Sequence, residues 1–197
     1  VTDAKYSQSP DYLKRLADLA YSFGVNEFVV CASAYQPWTD KIPGNTAGGR
    51  QYCLNRNNTL WQGSKGFWDY QARCASMMRQ GLPVVDMLVK LPSTPPTKLL
   101  ARRLPVVPQG YSWEVSTEPG DTATTRLPAV PDLSDNSEHH PKSMLWFSHR
   151  RLRDGDLYFV ANHSGKAYHD VVRLRANWKN AYFWNPLDGS RERMAVA

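Results

Sequence analysis

The sequence predicts an α/β protein in which a βαβ unit, preceded by a helix, is followed by a small antiparallel β-sheet. Three observations carry this. Apolar residues recur at helical spacing in two segments, near 13–23 and 65–80. Each of these is followed by a short apolar run rich in β-branched residues, 25–32 and 83–91. After residue 143 the pattern changes to short aromatic and β-branched runs separated by turn signals.

The first helix has clear punctuation. Ser9 suits the N-cap, Pro10 the first helical position, and Asp11 the positive end of the helix dipole. Leu13, Leu16, Ala17, Ala20 and Phe23 make one apolar face, and Gly24 fits the position just past the end. Val25 to Ala32 then reads as a buried strand. The second helix is expected from Lys65 to about Gln80, with Ser64 as cap, Gly81 as stop and Trp68, Ala72, Ala75 and Met78 on its inner face. Pro83 to Leu91 is the second strand. The order strand, connection, helix, strand implies parallel pairing with a right-handed crossover.

Between the first strand and the second helix lies a long polar-aromatic loop, YQPWTDKIPGNTAGGRQYCLNRNNTLW, from Tyr35 to Trp61. Loops beyond about 12–15 residues without their own structure are uncommon and often functional. Tyr35, Trp38, Tyr52 and Trp61 share the loop with Gln36, Arg50, Gln51, Asn55, Arg56, Asn57 and Asn58. Flat aromatic faces beside amide and guanidinium groups suit a sugar, which presents apolar C–H faces and a rim of hydroxyls. The competing reading is a surface loop whose aromatics pack on the domain beneath. The loop leaves the carboxyl end of its strand, and in parallel α/β folds that end carries the ligand site.

From Pro92 to Pro141 the chain holds nine of its fourteen prolines and no sustained helical period. Short apolar pieces there can cover the sheet, and Pro119 to Pro141 reads as an extended linker. Leu145–Arg151, Asp156–Asn162, Tyr168–Arg175 and Ala181–Trp184 are expected as successive strands. Asp154-Gly155 marks a hairpin, and Pro186 to Gly189 marks a second turn. The segments are thus 1–110, a proline-rich linker over 111–142, and a sheet over 143–197.

Several function classes fall away. The 24 basic residues give a net charge of +6, but they are scattered, and no nucleic-acid motif accompanies them. No apolar run approaches the length of a membrane span. The start, VTDAKYSQSP, shows no signal-peptide pattern. Cys31, Cys53 and Cys74 form no CxxC pair; Cys74 reads as a buried free thiol, and a Cys31–Cys53 bridge stays open. Glu138-His139-His140 lies in the linker, where solvation is the simpler reading than a metal site. Ser33 and His149 form no nucleophile elbow.

With these residues laid out, the chain resembles α-L-rhamnosidase-type glycoside hydrolases, family 106 and its Bacteroidetes relatives. The matching stretches are SPDYLKRLADLAYSFGVNEFVVCASAYQPWTDKIPG, NRNNTLW and FWDYQARCASMMRQGLPVVDMLV, then HRRLRDGDLYFVANHSG and AYFWNPLDGSRE. The resemblance implies the last part of a (β/α)-barrel, followed by the opening of a β-sandwich. It implies a carbohydrate held at the barrel mouth by the Tyr35–Trp61 loop, through Tyr35, Gln36, Trp38, Arg50, Asn55, Arg56, Asn58 and Trp61. It also implies carboxylate-based cleavage of rhamnosides or related glycans assisted by a divalent metal such as calcium, in the periplasm or outside the cell. The chain departs from that pattern in three ways. It shows two barrel strands where a full barrel has eight, in about 250 residues. Ser93 stands at the expected acidic position, and Cys31 stands where some relatives carry histidine.

Glycoside hydrolysis ordinarily uses two carboxyl groups. Asp40 is the only acid in the aromatic loop and is the catalytic candidate, against a reading as a turn residue. Asp86 is expected to make a buried hydrogen bond or ion pair, Asp69 to face solvent, and Glu27 to point to the wrong end of its strand. Glu114 and Glu118 lie where they can fold back. No catalytic pair can be assembled from these acids. The chain is therefore either a hydrolase completed by a second copy or by further polypeptide, or a carbohydrate-binding or structural remnant of one.

Overall fold

The computed structural model describes residues 8–30, 33–46, 54–90, 108–116, 127–135 and 145–196. The fold is mixed α/β and rich in short strands. Among the described residues there are two α-helices, α1 (Pro10–Ser22) and α2 (Lys65–Met78). The strands, in chain order, are β1 (Leu82–Pro83), β2 (Met87–Lys90), β3 (Trp113–Ser116), β4 (Leu133–Asp135), β5 (Leu145–Arg151), β6 (Asp156–Asn162), β7 (Val172–Leu174), β8 (Ala181–Trp184) and β9 (Arg191–Met194). Among the described residues they form four small sheets, β1-β5-β6, β2-β3, β4-β7 and β8-β9; β2-β3 is parallel and the others are antiparallel. No described helix is long and apolar enough to cross a membrane.

The chain divides into two units, and the division falls inside α1. The first comprises Val1–Asp18, Asn26–Arg79 and Asn180–Ala197; the second comprises Leu19–Val25 and Gln80–Lys179.

In the first unit α1 begins as its sequence dictates. The Ser9 hydroxyl accepts a hydrogen bond from the Tyr12 amide at 3.2 Å, satisfying one of the free donors of the first turn. At its far end in this unit Asp18 accepts from the Tyr70 hydroxyl at 2.5 Å and from Lys14 at 2.6 Å, which ties α1 to α2. The buried row of α2 is Tyr70, Cys74 and Met78, one residue per turn. This differs from the expected face. Ala72 is exposed, because Tyr70 is the large ring whose hydroxyl finds a partner inside. The expected Ser64 cap is also replaced. Ser64 is buried and helical in φ and ψ, and its hydroxyl donates to the Trp61 carbonyl at 2.6 Å and accepts from the Trp68 indole at 2.9 Å. The hairpin β8-β9 closes through a turn in which Asn185 accepts from Gly189 at 2.8 Å, with Gly189 at φ +81°.

Among the described residues, 25–30 are not part of any strand, so the expected first strand of the βαβ unit is not formed over these positions. Hydrophobic patterning reports a segment able to be buried, not the presence of a neighbouring strand in the right register. Val29 is 93% exposed. The residues Cys31 and Ala32 that complete the expected strand lie outside the described residues.

In the second unit the last turn of α1 carries Tyr21, which is fully buried against Phe159 at 5.4 Å between ring centroids. Phe23 packs on Trp113 and Trp146 at 5.2 and 5.1 Å. Gly24, at φ +83°, ends the helix, its amide donating to the Tyr21 carbonyl at 2.9 Å. The expected strand 83–91 is broken into β1 and β2. Asp86 sits at the break rather than inside a strand, because its side chain takes over the work of a ladder partner. Its carboxylate accepts from the Ser112 amide at 3.1 Å and from Arg175 at 2.6 Å. The parallel partner of β2 is β3, with Met87 opposite Trp113 and Val89 opposite Val115.

The hairpin β5-β6 forms over the expected residues, with Arg151 opposite Asp156 and His149 opposite Tyr158. The remaining tail strands do not join it in one sheet. Only Val172–Leu174 of the expected 168–175 strand is formed, and it pairs with β4 instead. The Asn162–Lys166 turn diverts the chain from β6, with Asn162 accepting from Ser164 and donating to the Lys166 carbonyl.

Candidate functional site

In the first unit the long loop builds itself from its own polar side chains. Gly44 adopts φ +72°, a left-handed turn that brings Asn45 back onto Gln36. The Gln36 carboxamide clamps Asn45 like a strand partner, accepting from its amide at 2.9 Å and donating to its carbonyl. Arg56 reaches across the loop and donates from Nη2 to the carbonyls of Gln36 and Trp38, at 2.8 and 2.5 Å. Asn57 donates to the Pro43 carbonyl at 3.0 Å. Asn55 accepts from the Asn57 amide at 2.9 Å and Asn58 from the Leu60 amide at 3.0 Å, which folds the NRNN segment into consecutive turns.

The consequence is a division of labour. Gln36 and Asn58 are buried and satisfy backbone groups that a loop otherwise leaves to water. The aromatic rings stay at the surface: Tyr35 is 80% exposed, and Trp38 and Trp61 are each 44% exposed. Lys41 lies over the Trp38 ring at 4.6 Å, and Trp61 leans on Trp68 at 6.1 Å, which holds both indoles in place. Asp40 is exposed in the bend after Trp38. Arg50, Gln51, Tyr52, Cys53, Ser93, Glu118 and the Glu138–His140 cluster lie outside the described residues, as does the Cys31–Cys53 pair. Cys74 is a buried free thiol, and burial pushes it up to about 11.

The second unit holds a polar cluster that sequence reasoning did not assemble. His149 is buried between two carboxylates. Its Nδ1 lies 2.9 Å from Asp132 and its Nε2 lies 2.9 Å from Asp156. Ionised carboxylates only accept, so with both acids charged both ring nitrogens must donate. Asp132 is fully buried and also accepts from the Tyr158 hydroxyl at 2.8 Å, with Arg175 at 3.6 Å. His149 stacks on Tyr158 at 4.0 Å and 17°. Asp156 accepts in addition from Arg151 and from the Trp178 indole at 2.5 Å.

Ionisation follows from these contacts. Burial works against the charge of Asp156, but hydrogen bonds from Trp178, His149 and Arg151 hold it below the usual carboxylate range. Burial, then the Asp132 carboxylate, pushes the Tyr158 hydroxyl up. Burial opposes the charge of Arg175, and the Asp86 and Asp132 carboxylates outweigh it and raise the group. Beside this cluster is a shallow cavity of about 240 Å³, lined by Arg151, Asp156, Arg175, Ala176, Asn177 and Trp178.

Part of this cluster was readable in the sequence. A hairpin turned at Asp154-Gly155 puts His149, Arg151, Asp156 and Tyr158 on one face by simple alternation. Asp132 and Arg175 carry no such signal, since β4 and β7 meet only in the folded chain. The arrangement does not suit the divalent metal that the sequence resemblance implies. The imidazole occupies the space between Asp132 and Asp156, and both its nitrogens are spent on them. No group of three or more His, Cys, Asp or Glu among the described residues is placed to hold a metal ion.

Comparison with known proteins gives a family match over the part of the chain that holds the loop and both helices. The sequence profile of the α-L-rhamnosidase family, glycoside hydrolase 106, matches residues 1–118. A Formosa agariphila protein named "Putative beta-glucuronidase" is 36% identical over 112 residues, covering 56% of this chain and 9% of that protein. The chain thus spans about a tenth of the length of the curated relative it matches. With the profile covering more than half of its residues, the chain belongs to the α-L-rhamnosidase family, glycoside hydrolase 106.

Proposed function

We propose that this chain is the carbohydrate-recognising part of a family 106-type glycoside hydrolase, binding a glycan on the Tyr35–Trp61 loop without assembling the catalytic centre by itself. One observation carries the reading: the polar side chains of the loop hold its backbone, and Tyr35, Trp38 and Trp61 are left presenting ring surface to solvent. Preorganised aromatic rings bind with less ordering cost than mobile ones. Tyr35, Trp38 and Trp61 stack on sugar faces in this reading, and Arg50 and the spare donors of Arg56 contact hydroxyls. Gln36, Asn55 and Asn58 fix the loop. Family membership makes rhamnosides the first ligands to examine, and the name of the Formosa relative adds β-glucuronides.

Hydrolysis needs a second carboxylate beside Asp40, and the fold of the chain favours completion by further polypeptide or a second copy. Val25, Phe28, Val29 and Val30 form an exposed apolar segment, and β2-β3 is a parallel sheet of two strands. Both features suit a barrel segment, which buries such strands on two faces between neighbours. In this reading 1–110 corresponds to the barrel segment and 143–197 to the sandwich-like sheet, and the connecting 111–142 contributes β3 to the first and β4 to the second.

The experiment pairs turnover with binding. Purified chain is incubated with aryl rhamnosides and aryl glucuronides, and the same ligands are titrated by calorimetry. The expected result is binding without turnover, weakened about tenfold by Trp38→Ala and Trp61→Ala. Robust turnover that is lost in Asp40→Ala overturns the reading, because the chain then assembles its own catalytic centre. Absence of binding to every glycan overturns it in the other direction.

A further inference from the structure

The cavity beside the buried histidine carries a chemistry separate from the loop. Its lining combines an aromatic ring, two guanidinium groups and an amide on one side of the β5-β6 hairpin. We infer that Arg151, Asn177 and Trp178 form a second carbohydrate site that takes an acidic sugar residue, with the ring against Trp178 and its anionic group on Arg151. The inference rests on the carbohydrate reading of the protein but uses different residues from the loop.

The hydrogen-bond inventory selects the ligand. Asp156 faces the cavity, but its oxygens already accept from His149, Arg151 and Trp178, so it has little capacity left for a ligand hydroxyl. Arg175 is committed as well, donating to the Val130 carbonyl at 3.0 Å and to Asp86 at 2.6 Å. Arg151 is different. It is more than half exposed and donates from Nε to Asp156, so the outer edge of its guanidinium remains open. That edge is the part which grips carboxylate or sulfate through two parallel bonds. The site therefore offers donors in surplus over acceptors, and the ligand it fits is rich in acceptors.

Trp178 supplies the sugar platform. Its Nε1–H is tied to Asp156, which fixes the plane of the indole, and the residue is 46% exposed. A ring held this way loses little freedom on binding. A cavity of about 240 Å³ has room for a single sugar residue and its substituent, not for an extended chain.

The test reads the Trp178 indole resonance directly. The full chain is labelled with ¹⁵N, the Trp178 Nε1–H signal is assigned through Trp178→Phe, and it is titrated with sodium D-glucuronate, D-glucose 6-sulfate, D-glucose and sodium acetate. The expected result is a saturable shift with glucuronate or glucose 6-sulfate, at least about tenfold tighter than with glucose or acetate. Whichever acidic sugar binds more tightly identifies the anionic group. Arg151→Ala and the milder Arg151→Lys both weaken the binding, the second because lysine lacks the fork. Asn177→Ala, at a side chain not needed for the hairpin, gives a smaller loss. An equal response to acetate shows a simple anion contact and overturns the sugar reading. An equal response to glucose overturns the role of Arg151. No shift with any probe overturns the site altogether. Because Trp38→Ala and Trp61→Ala leave Trp178 untouched, failure of the loop and failure of this site are told apart.

Discussion

Replacing His149 by leucine is the sharpest perturbation of the second unit. The ring makes two hydrogen bonds to charged groups, at 2.9 Å to Asp132 and 2.9 Å to Asp156. Each bond of this kind contributes about 1.5–3 kcal/mol. Leucine also strands a fully buried carboxylate, since Asp132 then keeps the Tyr158 hydroxyl and a guanidinium at 3.6 Å. Removing one partner of a buried charged pair costs about 3–5 kcal/mol, which bounds the two estimates together at about 4 kcal/mol. Total stabilities are about 5–15 kcal/mol, so the change is large but need not unfold the chain. A chain of two units need not unfold in one step, so the assay must be local. Hydrogen exchange over residues 145–162 reads the hairpin itself, and about 4 kcal/mol corresponds to roughly a thousandfold loss of protection where exchange follows opening of the hairpin. A loss below about 1 kcal/mol refutes the reasoning, because the two carboxylates would then be satisfied without the imidazole. An Asp132→Asn, His149→Leu double variant should recover part of the loss, since no buried charge is left unpaired at Asp132.

Three further outcomes follow from the geometry. Asp156 is held below the usual carboxylate range, so its contribution is fully present above the ordinary aspartate value near pH 4 and fades as pH falls through its lower folded value; acid unfolding followed by exchange over β5-β6 should show a less steep acid limb in Asp156→Asn. Gly44→Ala should destabilise the loop by about 1–2 kcal/mol, because φ is +72° and a Cβ would press onto the Gln36 carboxamide; calorimetry should show weaker glycan binding with the helices unchanged by circular dichroism. Cys74, raised to about 11 by burial, should resist alkylation at pH 8 in the folded chain and react once it is denatured, as read by peptide mass mapping.

Where local chemistry decides the structure, the sequence was legible. Ser9, Pro10 and Gly24 place the ends of α1, and Asp154-Gly155 places the β5-β6 hairpin over the expected residues. Where a partner decides it, the sequence was not. The run Val25–Val30 is as apolar as β2 yet has no ladder among the described residues, because strand formation needs a neighbour and composition does not name one. The same holds at the sites. The aromatics of the loop were visible as aromatics, but the commitment of Gln36 and Arg56 to backbone carbonyls and amides was not, since those acceptors carry no sequence signature. The partners of His149 were half visible: Asp156 by hairpin register, Asp132 not at all, because β4 lies outside that hairpin.

Arg73 in α2 donates to the carbonyls of Pro186 and Leu187 at 3.0 Å each, although these lie 113 and 114 positions away. Loop-closure entropy rises with the logarithm of the span, so this tie is expected to form after the contacts of neighbouring residues. Its acceptors are main-chain oxygens, which leaves the side chains at 186 and 187 free to vary while the turn itself must keep its place. The first unit is therefore complete only once its final segment has returned to a helix made more than a hundred residues earlier. Fluorescence recovery at Trp184 during refolding should lag behind hydrogen-exchange protection of the sequence-local β5-β6 hairpin.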